Sequence, residues 1–279
     1  APRKISQKSN LIEPKDNNFC IQRTSSLGGS SQFSDELISG NEDCLYLDIY
    51  APSKKSEGLF PVMFWIHGGG NTSGLKDLYD FTKLVKKHDV IVVTINYRLG
   101  PLGWFTHPAI QGLQDGLDKA SNFGTLDIIA ALEWVNKNIN SFGGDPRNIT
   151  IFGESAGGHN VLSLLVSKQA KGLFHKAISM SGYTESISIE DAYKQKNQSP
   201  TSNYSSWEVV KKIINDQPYK NEQDKYNNEK LRNLLYSLSG KEFYQYYAER
   251  ESFEELPLLT NDGIVIPKIG LKESLSKEE

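Results

Sequence analysis

Asn148-Ile149-Thr150-Ile151-Phe152-Gly153-Glu154-Ser155-Ala156-Gly157-Gly158 is the segment on which the architecture turns. Residues 148–152 form a short apolar, β-branched run with the length of a buried strand, and 156–166 reads as a helix. Between them stands G-x-S-x-G, Gly153 to Gly157. That pattern alone arises by chance, but between a strand and a helix it has the context of a serine presented on a sharp turn. Strand and helix pass close together there, so the neighbours must be small. Gly153 and Gly157 supply the clearance and Gly158 adds more. Ser155 is therefore a candidate nucleophile.

A serine hydroxyl attacks poorly at neutral pH unless a base takes its proton and donors receive the oxyanion that develops. Upstream, His67-Gly68-Gly69-Gly70 follows an apolar run at 61–66. A glycine run in that place lets backbone N–H groups turn toward one point. Alone it also suits a plain flexible turn; beside the Ser155 turn, the oxyanion reading prevails. Ala156 adds an N–H at the start of its helix, where the dipole favours negative charge.

Further outward, strand and helix signals alternate. Strands are expected at 44–50, 61–66, 90–96, 148–152 and 174–180, with helices at 81–87, 126–139 and 156–166. Ile129, Leu132, Val135 and Ile139 share one face of the 126–139 segment. This order implies an α/β chain with a mostly parallel sheet and helices on both faces. Residues 185–250 are richer in Lys, Asn, Gln, Ser and Tyr, with helical pieces at 207–214 and 231–238. They read as a helical insertion over the sheet's edge, either covering substrate or serving as a surface excursion without a binding role. No internal repeat is present.

The 279 residues are enough for a substantial core, and a net charge of -3 gives no reason to expect nucleic acid as a partner. No apolar run approaches the roughly 20 residues of a membrane span. The sequence opens at Ala1, without an initiator Met or a signal peptide, as a processed or truncated N-terminus would. Cys20 and Cys44 belong to no CxxC or Cys/His cluster, which argues against zinc. They are either free thiols or a disulfide. The loop-forming segment between them, Thr24 to Ser31, favours a bridge, which would stabilise by roughly 3 kcal/mol in the chain-entropy model.

The run Asn41-Glu42-Asp43-Cys44-Leu45-Tyr46-Leu47-Asp48-Ile49-Tyr50 resembles the E-D-C-L-Y-L-N-I signature of the type-B carboxylesterases, the cholinesterase family. His67 to Gly70, Asn96-Tyr97-Arg98, Phe142-Gly143-Gly144-Asp145-Pro146 and Phe152 to Gly158 resemble further motifs of that family. The likeness runs in the family's order from about Cys20 to Gly182, with a fainter match at Asp262-Gly263. The resemblance implies an α/β-hydrolase that cleaves small-molecule carboxylic esters through an acyl-enzyme on Ser155, without metal or organic cofactor. It maps the oxyanion donors onto Gly69, Gly70 and Ala156, a loop disulfide onto Cys20–Cys44, and a site-lining glutamate onto Glu154. A scaffold salt bridge maps onto Arg98 and Asp145. If the two cysteines are bridged, folding is expected in an oxidising compartment, periplasmic or secreted.

Other groups read as structural. His88, His107 and His175 suit a helix end, a loop and a strand start. His159, one turn after Ser155, is tempting as a base, but the turn points the serine away from its own helix. In the α/β-hydrolase order an acid and then a histidine follow the serine, and every histidine here lies at or before position 175. Asp262 reads as a turn residue rather than the acid. The triad acid and histidine are thus expected outside this chain. Residues 1–279 are expected to form one partial domain, incomplete at both ends, with apolar sheet surface left exposed. Between Cys20 and Cys44 there is no Trp and Phe33 is the sole aromatic, so a general carboxylesterase is expected rather than a choline-ester specialist. The reading from another class is a catalytically inactive, cholinesterase-like binding or adhesion module. A lipase or peptidase is a weaker third, disfavoured by the 44–50 signature.

Overall fold

The computed structural model describes residues 18–53, 58–193, 205–216, 227–248, 257 and 259–277. The expectation that the chain is incomplete at its beginning rests on residues 1–18, of which only Asn18 is among those described.

Two short strands, β1 (Gln22–Arg23) and β2 (Ile38–Ser39), pair antiparallel inside the loop closed by Cys20 and Cys44. The five-stranded sheet that follows is built from β3 (Leu47–Tyr50), β4 (Phe60–Ile66), β5 (Ile91–Ile95), β6 (Gly144–Glu154) and β7 (Lys176–Met180). Its order is β3-β5-β4-β6-β7, with β3 antiparallel to β5 and the other pairs parallel. Parallel neighbours need long crossovers. These are supplied by α1 (Thr82–His88), then α2 (Pro101–Trp104), α3 (Pro108–Gln111) and α4 (Phe123–Asn138), and finally α5 (Ala156–Val166).

Alternation along the strands sorts the core into two layers. Phe64, Ile66, Val93, Ile95, Ile149 and Ile151 point to the face that packs with Ile128, Leu132 and Val135 of α4 and Val161 and Leu164 of α5. Trp65, Val92 and Phe152 point to the other face, against Val85 of α1. Every residue of β5 is buried, as expected of a strand covered on both sides. The mostly parallel sheet with helices on both faces is therefore the observed architecture.

Element edges moved where long-range contacts override local pattern. The strand expected from Cys44 begins at Leu47, because Cys44 is held in the disulfide and 44–46 curl through local bonds (Cys44 N–H to Glu42 O, Tyr46 N–H to Cys44 O). The 126–139 helix begins three residues earlier, at Phe123, and continues past Asn138 into a 3₁₀ turn at Ile139–Phe142.

β7 pairs with β6, and among the described residues no strand covers its far edge. All five of its residues are exposed, including Ile178 (45 %) and Met180 (37 %). After β7 come α6 (Ile189–Tyr193), α7 (Ser206–Asp216), α8 (Asn228–Ser237), α9 (Gly240–Gln245) and α10 (Leu271–Leu275). Val209, Ile213, Leu231 and Phe243 of the 185–250 segment close on Phe105, Ala109 and Ile110 as a satellite core. Tyr244 and Ala248 pack on Ile21 and Ile38 of the disulfide loop. The described part of the segment thus rests on the β5–α4 crossover and the disulfide loop.

Candidate active site

Ser155 stands between β6 and α5 with φ 55° and ψ -119°, in a region that non-glycine residues rarely enter. Strain of this kind costs about 1–3 kcal/mol and persists only where the surroundings fix it. They do so here. The Ser155 N–H donates to Met180 O at 2.9 Å, and its carbonyl accepts the His159 N–H at 2.9 Å. Behind the turn, a Cβ on Gly157 would stand 2.1 Å from Ile66 O, so only glycine lets α5 approach β4 this closely.

The glycine loop leaves the end of β4 and reaches this turn. A Cβ on Gly68 would lie 2.7 Å from Glu154 O and 3.4 Å from Ser155 Cβ. Within the loop, Gly69 and Gly70 have φ 102° and 64°. The carbonyls on either side of the two amides are pinned. Gly68 O accepts from His67 Nδ1 at 2.8 Å, and Gly69 O accepts the N–H groups of Thr72 and Ser73, both at 3.0 Å. In a trans peptide the N–H points opposite to the carbonyl. Holding these two carbonyls therefore turns the Gly69 and Gly70 N–H groups the other way. Neither is spent on a partner among the described residues.

Three buried side chains brace the loop from outside. Gln22 donates to Gly74 O at 3.0 Å and to Cys20 O at 3.0 Å, and accepts the Gly74 N–H at 2.9 Å. The Tyr97 hydroxyl donates to His67 O at 2.7 Å, and its ring stacks on the His67 imidazole at 4.3 Å. Asn160 of α5 reaches Asn71, at 2.8 Å. Sequence reading missed all three. Their bonds to the loop span 30 to 89 positions, and no local spacing announces them.

The Cys20–Cys44 disulfide is formed, with Cα atoms 4.8 Å apart. The expected Arg98–Asp145 salt bridge is not. Arg98 instead forks onto Asp127 of α4, with Nε to Oδ2 at 2.8 Å and Nη2 to Oδ1 at 2.7 Å, while its own N–H donates to Oδ2 at 3.0 Å. Asp127 is fully buried, so the bidentate cation answers a desolvated carboxylate. Asp145 turns to its own neighbour Arg147, capping that N–H at 2.9 Å.

The histidines are all otherwise engaged or remote. His67 is fully buried, and desolvation pulls its pKa down to about 4. His107 caps α3 by accepting the Ala109 N–H, and burial also holds it near about 4. His159 donates from Nδ1 to Tyr183 O at 2.7 Å and stacks on that ring at 4.1 Å; burial lowers its pKa. His175 accepts the Ile149 N–H, and His88 is exposed in the last turn of α1. Asp262 is a turn organiser: one carboxylate oxygen accepts the N–H groups of Ile264, Val265 and Ile266, the other that of Ser121. A cavity of about 220 Å³ is lined by His107, Gln111, Ile189 and Tyr193 among others, and by no residue of the glycine loop or the Ser155 turn. No helix among the described residues is long and apolar enough to cross a membrane.

A family model described as Carboxylesterase family matches residues 12–252. The chain belongs to the carboxylesterase family. It is similar to para-nitrobenzyl esterase of Bacillus subtilis (strain 168), 49% identical over 159 residues, which is 56% of this chain and 31% of that protein. It is also similar to liver carboxylesterase of Sus scrofa, 47% identical over 150 residues, covering 53% of this chain and 25% of that one. Among solved structures, a PNB esterase aligns over 92% of this chain and 48% of its own with TM-score 0.70 and 34% identity. A thermophilic PNB esterase aligns with TM-score 0.71 over the same shares. This member of the carboxylesterase family spans about half the length of those structures and about a quarter to a third of the curated relatives. The mostly parallel central sheet with its flanking helices is the α/β-hydrolase fold of these structural neighbours.

Proposed function

We propose that the protein is a serine carboxylesterase that hydrolyses small-molecule carboxylic esters through an acyl-enzyme on Ser155. The observation that carries this reading is the strained Ser155 turn with the glycine loop lodged against it. In the proposed step, Ser155 Oγ adds to the ester carbonyl carbon while its proton passes to a base. The former carbonyl oxygen, now an anion, is received by the N–H groups of Gly69, Gly70 and Ala156, the last reinforced by the start of α5. Collapse expels the alcohol, and water then releases the acid by the same route. Glu154, half-buried against Gly68, lines the pocket and adds to its electrostatics. The triad acid and histidine come from outside these 279 residues, in the order the fold prescribes after the serine. Residues 1–279 act as part of one α/β-hydrolase domain that includes the 185–250 helices.

Neutral esters are favoured over choline esters, because the disulfide loop offers only Phe33 as an aromatic face and no indole for a quaternary ammonium. The disulfide fits folding in an oxidising space, periplasmic or secreted. The decisive measurement is labelling of the natural protein by a fluorophosphonate. Covalent attachment at Ser155, removed by Ser155→Ala, is expected. An unlabelled Ser155 would favour a cholinesterase-like binding module instead.

A further inference from the structure

The glycine loop hangs from β4 and the nucleophile turn from β6, so catalysis needs something that keeps one in register with the other. Adjacent strands fix their ends only approximately, and loops can shift on top of them. Asn160 lies on α5, five positions after Ser155, and is fully buried. Its Nδ2 donates to Asn71 Oδ1 at 2.8 Å, immediately after Gly70. At the start of the loop the Tyr97 hydroxyl separately donates to His67 O at 2.7 Å. Asn160 Oδ1 has no partner among the described residues. The amide is thus turned so that its N–H side serves the Asn71 end of the glycine loop while its acceptor goes unused. A buried unpartnered acceptor is unfavourable, which argues that the donor contact to Asn71 holds the orientation.

The loop end is built to receive this contact. Asn71 sits at φ 58°, in the left-handed region, and its own carbonyl accepts the Gly100 N–H at 2.7 Å. Asparagine tolerates that conformation better than most residues. Its side chain is therefore aimed at α5 by a backbone anchored on the β5–α2 connection.

We propose that Asn160 is a positioning residue: it couples the nucleophile's helix to the end of the glycine loop at Asn71, so that Ser155 and the Gly69 and Gly70 amides move as one body. This rests on the ester-hydrolase reading above. A merely space-filling Asn160 would affect stability without setting the geometry of the loop.

The test uses the natural protein carrying Asn160→Leu, which keeps the number of side-chain heavy atoms and removes the donor to Asn71. Asn71→Gly keeps the left-handed turn and removes only the side chain, and the third variant combines the two. Each is read by kcat and KM on a short nitrophenyl ester, by the rate of fluorophosphonate attachment to Ser155, and by amide hydrogen exchange at 68–74. Misplacement by about 1 Å can cost up to about a hundredfold in rate. For each single variant a roughly tenfold to hundredfold fall in kcat and labelling rate is expected, with KM changed less than about twofold and faster exchange at 68–74. The double variant should be no slower than Asn160→Leu, since both remove one interaction. Unchanged labelling and exchange, or losses that multiply in the double variant, would overturn the proposal. If Asn160→Leu does not fold, Asn71→Gly alone gives the same decision. If the unsubstituted protein is not labelled, the hydrolase reading falls, while exchange at 68–74 still decides whether Asn160 holds the loop.

Discussion

The backbone of Ser155 stores strain that its chemistry needs and its stability does not. A residue at φ 55° gives up about 1–3 kcal/mol relative to relaxed backbone, and glycine would recover part of it. Ser155→Gly should therefore raise unfolding stability by about 1 kcal/mol in urea titration. On the proposed mechanism, Ser155→Ala and Ser155→Gly both lose turnover by about 10⁴-fold or more. A destabilised Ser155→Gly would mean that the hydroxyl, not the backbone, holds the turn. His67 gives a second residue-scale expectation. Its folded pKa is depressed by burial to about 4 from 6.5. Above pH 6.5 both states are neutral and the group contributes nothing to the pH dependence. Between 6.5 and 4 the unfolded chain binds a proton that the folded chain refuses, so stability falls as the pH falls, by up to roughly 3 kcal/mol. His107 adds a drop of the same sign. Urea midpoints measured from pH 7 to pH 4 should decline, and the decline should flatten in a variant carrying His67→Gln and His107→Gln.

Elements announce themselves when their pattern is local. The apolar runs at 61–66 and 90–96 stand as β4 and β5, and α5 occupies 156–166 as expected, because burial on both faces and a glycine-flanked serine leave local signatures. The α2 and α3 turns at Pro101–Trp104 and Pro108–Gln111 carried no readable period, being four residues each. Arg98 was assigned to the wrong carboxylate, since sequence cannot show that α4 brings Asp127 back beside it. The braces of the glycine loop were invisible for the same reason. One of them, Gln22, ties that loop to the disulfide loop through Gly74. This coupling makes the bridge more than an entropic staple. Replacing Cys20 and Cys44 by Ser should cost about 3 kcal/mol in thermal or urea unfolding. It should also loosen Gln22's hold, seen as faster hydrogen exchange at Gly74 than at buried β5 amides. Equal exchange changes at both places would reduce the bridge to a purely global effect.

At the scale of the whole molecule, the proposed site joins the Ser155 turn to the glycine loop, with no base in contact with them among the described residues. The sequence holds five histidines. His67 is spent inside the glycine loop, His107 on a helix cap, His159 on the Tyr183 carbonyl and His175 on the Ile149 N–H, while His88 is at the far end of α1. Asp262 is saturated by four backbone donors and cannot turn toward a histidine without opening its loop. A nucleophilic serine without its base retains only what the oxyanion donors and substrate binding contribute. The 279-residue polypeptide expressed by itself is therefore expected to turn over a short nitrophenyl ester at least about a thousandfold more slowly than the natural protein. The open edge of β7 supplies an independent reading of the same sample. Among the described residues the far edge of β7 is unpaired, and Ile178 and Met180 stand exposed beside it, an arrangement that invites pairing with another chain. The polypeptide should self-associate in a concentration-dependent way, and Ile178→Lys should reduce this in sedimentation velocity while leaving the melting temperature nearly unchanged. Turnover by the polypeptide equal to that of the natural protein would show that a base lies within these residues. His159 would then be the first to replace, since breaking its bond to Tyr183 is the smallest rearrangement that frees an imidazole on the nucleophile's own helix.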